Sequence, residues 1–314
     1  MKNVVLSLLL GFALLTPSVA DEAKINQRKA IAEHLQNISV TIRAESNWGA
    51  GEGSGVIFTR KDSDGNLVNF VWTAAHVVDI LRTERKVVIG GVPKVKVEFK
   101  DALIVKEIRQ NGRTVGRLQM DAEVLKYSDA TNGHDLALLR IRKLNFISDT
   151  VVFDLSGEIP SLGTELLHVG SLLGQMGANS MTDGIYSQHG RLIKSLNKYV
   201  FDQTTVTAFP GSSGGGVYLK SNSKYTGMLV RGAGEGFNLI VPVRRMVNYC
   251  KEHDIMWALD PKKEMPTYKK LLEMPIENTP HEEKEDTEEE AAAKKMFPFM
   301  LRVIHPKILI LERK

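Results

Sequence analysis

Three short stretches carry side chains able to do nucleophilic chemistry: Thr73-Ala74-Ala75-His76, His134-Asp135-Leu136-Ala137-Leu138-Leu139 and Gly211-Ser212-Ser213-Gly214-Gly215. A serine hydroxyl is a weak nucleophile near neutral pH and needs a base to take its proton as it attacks a carbonyl. Histidine suits that task, because its unperturbed pKa of about 6.5 lets it accept and return a proton. A buried carboxylate fixes the imidazole tautomer and stabilises the imidazolium. The oxyanion that follows needs preorganised donors, and glycines flanking the serine let backbone N–H groups turn toward it.

Each motif alone has an ordinary structural explanation. A histidine after Thr-Ala-Ala is more often structural, an aspartate before an apolar run can cap a turn, and glycine loops occur without chemistry. Together, in the order His, Asp, Ser and each beside a β-rich run, they predict an acyl-transfer site built from His76, Asp135 and Ser213. Ser212 is a rival nucleophile by composition, but only Ser213 has glycine two residues before it and two glycines after it.

The elements that must position these residues read as two β-rich halves. Residues 22–36 carry Ile25, Ala30, Ile31 and Leu35 at helical spacing and predict a short helix. From Ile38, apolar and polar residues alternate. A glycine-rich stretch (49–55) leads into Val56-Ile57-Phe58, a turn at Asp64-Gly65-Asn66 follows, and Val68–Thr73 returns as a strand. Further β-runs cover 87–89, 95–99, 103–108, 117–127 and 136–141, then a second series 166–169, 184–187, 199–201, 215–219, 225–230 and 238–242. Val243–Glu252 closes as a helix with Val243, Met246, Val247 and Cys250 on one face. The expected fold is all-β, with antiparallel strands.

The chain of 314 residues is 43% apolar and 25% charged, with a formal charge of +4. This is a globular composition with no block of basic and aromatic residues, so nucleic-acid binding is not expected. Met1-Lys2-Asn3, the apolar run Val4–Leu15 and Ser18-Val19-Ala20 before Asp21 form a signal-peptide pattern, with cleavage expected after Ala20. The apolar run is too short for a membrane span, which needs ~20 residues. Export to the periplasm or outside the cell follows, and the single Cys250 leaves the core rather than disulfides to hold the fold. After residue 258, Pro261, Pro266, Pro275 and Pro280 break the chain. Residues 281–290 hold seven acidic side chains and one lysine, and 296–311 is apolar but interrupted. The expected organisation is a signal peptide (1–20), a helical lead-in (21–37), a catalytic domain (38–258) and an extension (259–314) that packs back or stays mobile.

The three motifs in this order resemble chymotrypsin-like serine peptidases, most closely the HtrA/DegP branch. Gly53-Ser54-Gly55-Val56-Ile57 with Thr73-Ala74-Ala75-His76-Val77-Val78 is similar to that branch's first strand pair and histidine turn. Asp135-Leu136-Ala137-Leu138-Leu139 is similar to its aspartate strand, and Asp183-Gly184-Ile185-Tyr186-Ser187 with Gly190-Arg191 to the strand pair ahead of its nucleophile loop. The resemblance spans roughly residues 50–250. It implies two packed six-stranded β-barrels with the site between them. By that resemblance His76 is general base and acid, Asp135 orients it, Ser213 forms an acyl-enzyme, and the Gly211 and Ser213 N–H groups form the oxyanion hole. The substrate is then a protein or peptide, with no cofactor and no metal.

The chain departs from the family in places. Ser212 stands where Asn or Asp is usual, so a new N-terminal amine would find no carboxylate there, and Gly216 stands where Pro is usual, an extra glycine that predicts a more mobile nucleophile loop and a poorly formed oxyanion hole. No Ile-Val-Gly-Gly start is present, so digestive-type zymogen activation is not expected. The His76–Asp135 interval is long, which predicts extra hairpin length around 85–120, and no PDZ-like domain is recognisable after 258. Thr207, six residues before the nucleophile, is not Asp. By the resemblance it lies at the base of the primary pocket, which with Ala208 and Met228-Leu229-Val230 predicts a small or medium apolar preference. Gly211-x-Ser213-x-Gly215 also fits an α/β-hydrolase elbow, but that needs a helix where Gly216–Leu219 reads as a strand. No metal-ligand spacing appears. The alternative from another class is a protease-fold protein that binds a partner without cutting.

Overall fold

The computed structural model describes residues 19–47, 49–89, 92–193, 199–232, 234 and 236–277. The greater part of the proposed signal peptide, the acidic run 281–290 and the apolar stretch 296–311 lie outside these residues.

Helix α1 (Val19–Asn37) leads into a closed barrel of β1 (Ser39–Ser46), β2 (Gly49–Lys61), β3 (Leu67–Thr73), β6 (Ala102–Gln110), β7 (Arg113–Ser128) and β8 (Leu136–Ile141), in the order β1-β2-β3-β8-β7-β6. The barrel closes where β6 returns to β1, with Thr41 opposite Val105. The β2–β3 turn forms as its sequence dictates: the Asp62 carboxylate accepts from the Asp64 and Asn66 N–H groups, and Gly65 takes φ 82°. β4 (Arg82–Ile89) and β5 (Val92–Phe99) make a separate two-stranded sheet, which accounts for part of the extra length between His76 and Asp135.

A second closed barrel holds β9 (Glu165–Leu172), β10 (Gly177–Leu192), β11 (Val200–Thr204), β12 (Gly216–Leu219), β13 (Tyr225–Gly232) and β14 (Asn238–Pro242), ordered β10-β11-β14-β13-β12-β9. All pairings between the barrel strands are antiparallel, so the expected all-β two-barrel class is correct.

The barrels share one core. Phe58, Phe70 and Trp72 of the first barrel belong to the same buried cluster as Phe201, Met228 and Val230 of the second. Burying each such side chain stabilises the fold by about 1.5–3 kcal/mol. β1 packs against β9 and β10 of the second barrel, which is why it is buried on both sides rather than alternating, and β8 is buried along its whole length. Thr41 of β1 reaches Ser171 of β9, hydroxyl to hydroxyl, at 2.6 Å.

Helix α3 (Val243–Glu252) buries Val243, Met246 and Cys250 of the expected face, leaves Val247 half-buried, and buries Tyr249 and Arg245 as well. The chain then turns back over the first barrel. Trp72 Nε1 donates to the Ala258 carbonyl at 3.1 Å, and Leu271 of α4 (Tyr268–Glu273) is buried. Lys126 Nζ donates to the Pro275 carbonyl at 2.7 Å, and Tyr127 N–H to Ile276 at 3.0 Å. The extension thus packs back as far as Glu277, whose carboxylate takes two bonds from Arg82 at 2.5 and 2.9 Å. Among the described residues no helix is long and apolar enough to cross a membrane.

Candidate active site

β3 ends at Thr73, whose hydroxyl donates to the Ser54 carbonyl at 2.8 Å and fixes the strand exit. Ala74 and Ala75 are fully buried at the start of the one-turn helix α2 (Ala75–Val78) that carries His76. The His76 ring is 13% exposed, and its Nδ1 lies 3.0 and 3.1 Å from the two carboxylate oxygens of Asp135. The His76 backbone N–H adds a third contact to that carboxylate at 3.2 Å.

Asp135 sits at the end of the β7–β8 connection with φ 55°, a left-handed conformation that aspartate tolerates better than branched residues. The connection is built to hold it. The Asp129 carboxylate accepts from Thr131 and Asn132 N–H groups at 2.8 and 2.6 Å, and the Asp129 carbonyl accepts from Asp135 N–H at 3.2 Å. Burial alone would push the Asp135 carboxyl up. The charge and hydrogen bond of His76, with the charge of Arg231, outweigh that and hold it well below the usual carboxylate range.

Ser213 lies in a loop whose glycines are needed. Gly211 and Gly214 have φ 95° and 88°. A side chain on Gly211 would collide with the Ser171 carbonyl, and one on Gly214 with the Ser54 carbonyl. The loop is stitched to the first barrel through Ser54. Its N–H donates to the Ser213 carbonyl at 2.7 Å, its hydroxyl donates to the Gly211 carbonyl at 2.7 Å, and that hydroxyl accepts from Ser171 N–H at 2.8 Å. Gly53 lies between Val77, next to His76, and the Ser213 carbonyl, so the close approach of the two barrels depends on its missing side chain.

The structure therefore brings all three motifs to one place on the inter-barrel face. His76 and Asp135 are directly bonded. The Ser213 hydroxyl donates instead to the Val230 carbonyl at 3.3 Å, and among the described residues no hydrogen bond joins it to His76. The Pro210 carbonyl accepts from Leu173 N–H at 2.7 Å, which turns the Gly211 N–H to the opposite side of that peptide. Neither the Gly211 nor the Ser213 N–H donates to an acceptor among the described residues.

Ser212 is buried, and its hydroxyl accepts from Phe209 N–H at 3.1 Å, so it braces the loop. Gly216, read from sequence as a source of looseness, is instead buried in β12 opposite Val169 and Met228, and the Tyr218 hydroxyl fills the place of its side chain. The loop before it is tied by the Ser212 to Phe209 and Gly215 to Ser212 backbone bonds and by the Ser54 hydroxyl on the Gly211 carbonyl. Thr207 is exposed, with its carbonyl accepting from the Thr182 hydroxyl at 3.0 Å, and Ala208 is half-buried. Met228, Leu229 and Val230 are buried. The first and last lie in the main core, and Leu229 lies in a smaller cluster with Tyr186, Val206 and Ile240.

Residues 53–228, more than half of the chain, match the family described as the trypsin-like peptidase domain. The chain belongs to the trypsin-like peptidase family. Its two antiparallel barrels agree with that membership. No curated protein matches it in sequence. Among solved structures it is similar to the HtrA-type protease AlgW, seen as a serine-to-alanine variant with a tripeptide. The identity is 18%, the TM-score 0.53, and the match covers 74% of this chain and 64% of that one. It is also similar to the serine endoprotease from Yersinia pestis, at 19% identity and TM-score 0.49, covering 78% and 69%. The chain thus spans 64% of AlgW, and at this identity the likeness is one of fold.

Sequence reasoning did not assign roles to two residues at this site. Ser54 was visible only as part of a glycine-flanked motif. Arg231, whose guanidinium lies 3.6 Å from the Asp135 carboxylate, gave no sequence signal, since it comes from another barrel 96 residues on (231 minus 135).

Proposed function

We propose that this peptidase is an exported serine endopeptidase that works through His76, Asp135 and Ser213. The observation that carries the reading is the fully buried Asp135 carboxylate on His76 Nδ1. A carboxylate there favours the tautomer with the proton on Nδ1 and leaves Nε2 free to act as base. Rotation of Ser213 away from Val230 presents its hydroxyl to that base. The hydroxyl oxygen attacks the scissile carbonyl, and its proton passes to His76. The oxyanion is held by the Gly211 and Ser213 N–H groups. His76 returns the proton to the leaving amine, and water then hydrolyses the acyl-enzyme by the same route in reverse.

Thr207 and Ala208 support a small or medium apolar side chain in the primary pocket. Cleavage of a mixed peptide library tests this, and efficient cleavage after Arg or Lys would rule it out. The N-terminal pattern supports export, which predicts that the extracellular protein starts at Asp21 when its N-terminus is sequenced.

The decisive experiment is labelling of the full chain with a fluorophosphonate, beside Ser213→Ala and a heat-denatured sample. Labelling of native wild type alone supports the reading. A second reading, a latent protein that binds without cutting, draws on the Ser213 hydroxyl resting on the Val230 carbonyl. Folded wild type that does not label favours it.

A further inference from the structure

The end of β13 touches two members of the proposed triad from one side. Val230 offers its carbonyl to the Ser213 hydroxyl. The next residue, Arg231, sends its guanidinium across the cleft into the first barrel. There it donates to the Ala130 carbonyl at 2.8 Å and lies 3.6 Å from the second carboxylate oxygen of Asp135. Both side chains are withdrawn from water, at 7% and 0% exposure. Asp135 is the carboxylate within ion-pair range of Arg231 among the described residues. Arg231 Nε is buried with no hydrogen-bond partner there. A buried guanidinium so poorly bonded needs a nearby anion, and the triad carboxylate is that anion.

Resting on the reading above, we propose that Arg231 is a positioning residue: it clamps the aspartate loop to the serine barrel and shares the charge of Asp135 with His76. The imidazole lies against both carboxylate oxygens, and the permanent cation faces one of the same two. Less of its charge is left to stabilise an imidazolium, and Asp135 cannot swing out of the cleft.

Other charged groups around this cluster are tied up elsewhere. Asp79, on the turn after His76, accepts from the Tyr127 hydroxyl at 2.6 Å, and Asp129 caps its own loop. His134 faces Glu252 at 3.5 Å and the Tyr199 ring, with His253 beyond Tyr249. From α3, Arg245 lies between the rings of Tyr199 and Phe201 and adds a second, more distant positive charge toward Asp135.

The test compares wild type with Arg231→Met, Arg231→Gln and Arg231→Lys in the full chain, each checked for folding by its melting transition. The readout is the His76 titration midpoint by nitrogen NMR of the imidazole, which does not depend on activity. Loss of a nearby cation favours the protonated ring. The expected result is a midpoint raised by about half to one pH unit in the Met and Gln variants, with Lys within ~0.2 of wild type. Fluorophosphonate labelling of the two neutral variants slows most on the acid side. Midpoints in both neutral variants equal to wild type would overturn the proposal. If the midpoint moves but wild type does not label, the charge sharing stands and the peptidase reading falls. If wild type labels and Ser213→Ala does not, while the midpoint stays put, only the role of Arg231 falls.

Discussion

The two halves of the site are held by different means. The first barrel supplies a hydrogen-bonded pair made by side chains, His76 on the buried Asp135 carboxylate. The second barrel supplies a backbone loop, Gly211–Gly215, held by main-chain bonds and by Ser54 reaching across from the first. The base is preorganised, whereas the nucleophile rests on a carbonyl and must rotate. Hydrogen bonds between catalytic groups often tighten only when substrate arrives. The difference implies that damage to the first half removes chemistry with little change in geometry, and that damage to the second half removes geometry and stability together.

The sharpest way to break this comparison is Asp135→Asn. It keeps the shape but favours the wrong imidazole tautomer, so kcat on a cleaved peptide should fall by about 10⁴ with the fold retained. A fall below tenfold would mean that the His76–Asp135 contact is structural only. Gly214→Ala comes next, because its side chain would strike the Ser54 carbonyl at φ 88°. Both labelling and melting temperature should drop, with labelling down about 10²-fold through loss of the oxyanion donors. If labelling falls while the melting point is unchanged, the loop is softer than its bonds imply.

Ser54→Ala removes two hydrogen bonds from a buried hydroxyl and should cost about 1–3 kcal/mol in urea unfolding. It should slow labelling without changing its pH dependence. An altered acid limb would show that Ser54 acts on His76 rather than on the loop.

The smallest effect concerns pH. His168 lies beneath the nucleophile loop with Nδ1 3.0 Å from the Gly216 carbonyl, and burial pushes it down to about 4. A histidine lowered in the folded state is stabilising above its unfolded value of ~6.5. That contribution is lost as pH falls toward the folded value, at up to about 1.4 kcal/mol per unit. The urea midpoint should therefore decline from pH 7 to 5, and His168→Gln should flatten the decline. His134, pushed down to about 3 by burial and by Arg245 and His253, contributes in the same window, so the flattening is partial.

How much was legible follows from the range of each interaction. The triad candidates were readable because the glycines, the small residues before His76 and the apolar run after Asp135 are local requirements of tight turns and buried strands. The strand series was readable for the same reason. The packing reason for Gly216 was not legible because it arises from Tyr218, two residues along the same strand face, and hydroxyl placement is not visible in composition. Arg231 was invisible because its partner comes from the other barrel. The inward packing of 259–277 could not be separated from a mobile extension, since its contacts, such as Glu277 with Arg82, join segments far apart in the chain.

The sequence by itself determined which residues could do the chemistry, their order, and the β-rich texture that places each beside a strand. These follow from backbone sterics and the period of apolar residues, both short-range. Only the tertiary structure decided that β1 buries both faces, that Ser54 stitches the nucleophile loop, and that an arginine stands behind the proposed triad aspartate. Those outcomes depend on how the two barrels meet, and burial between them is what turns a nearby charge or hydroxyl into an effective one.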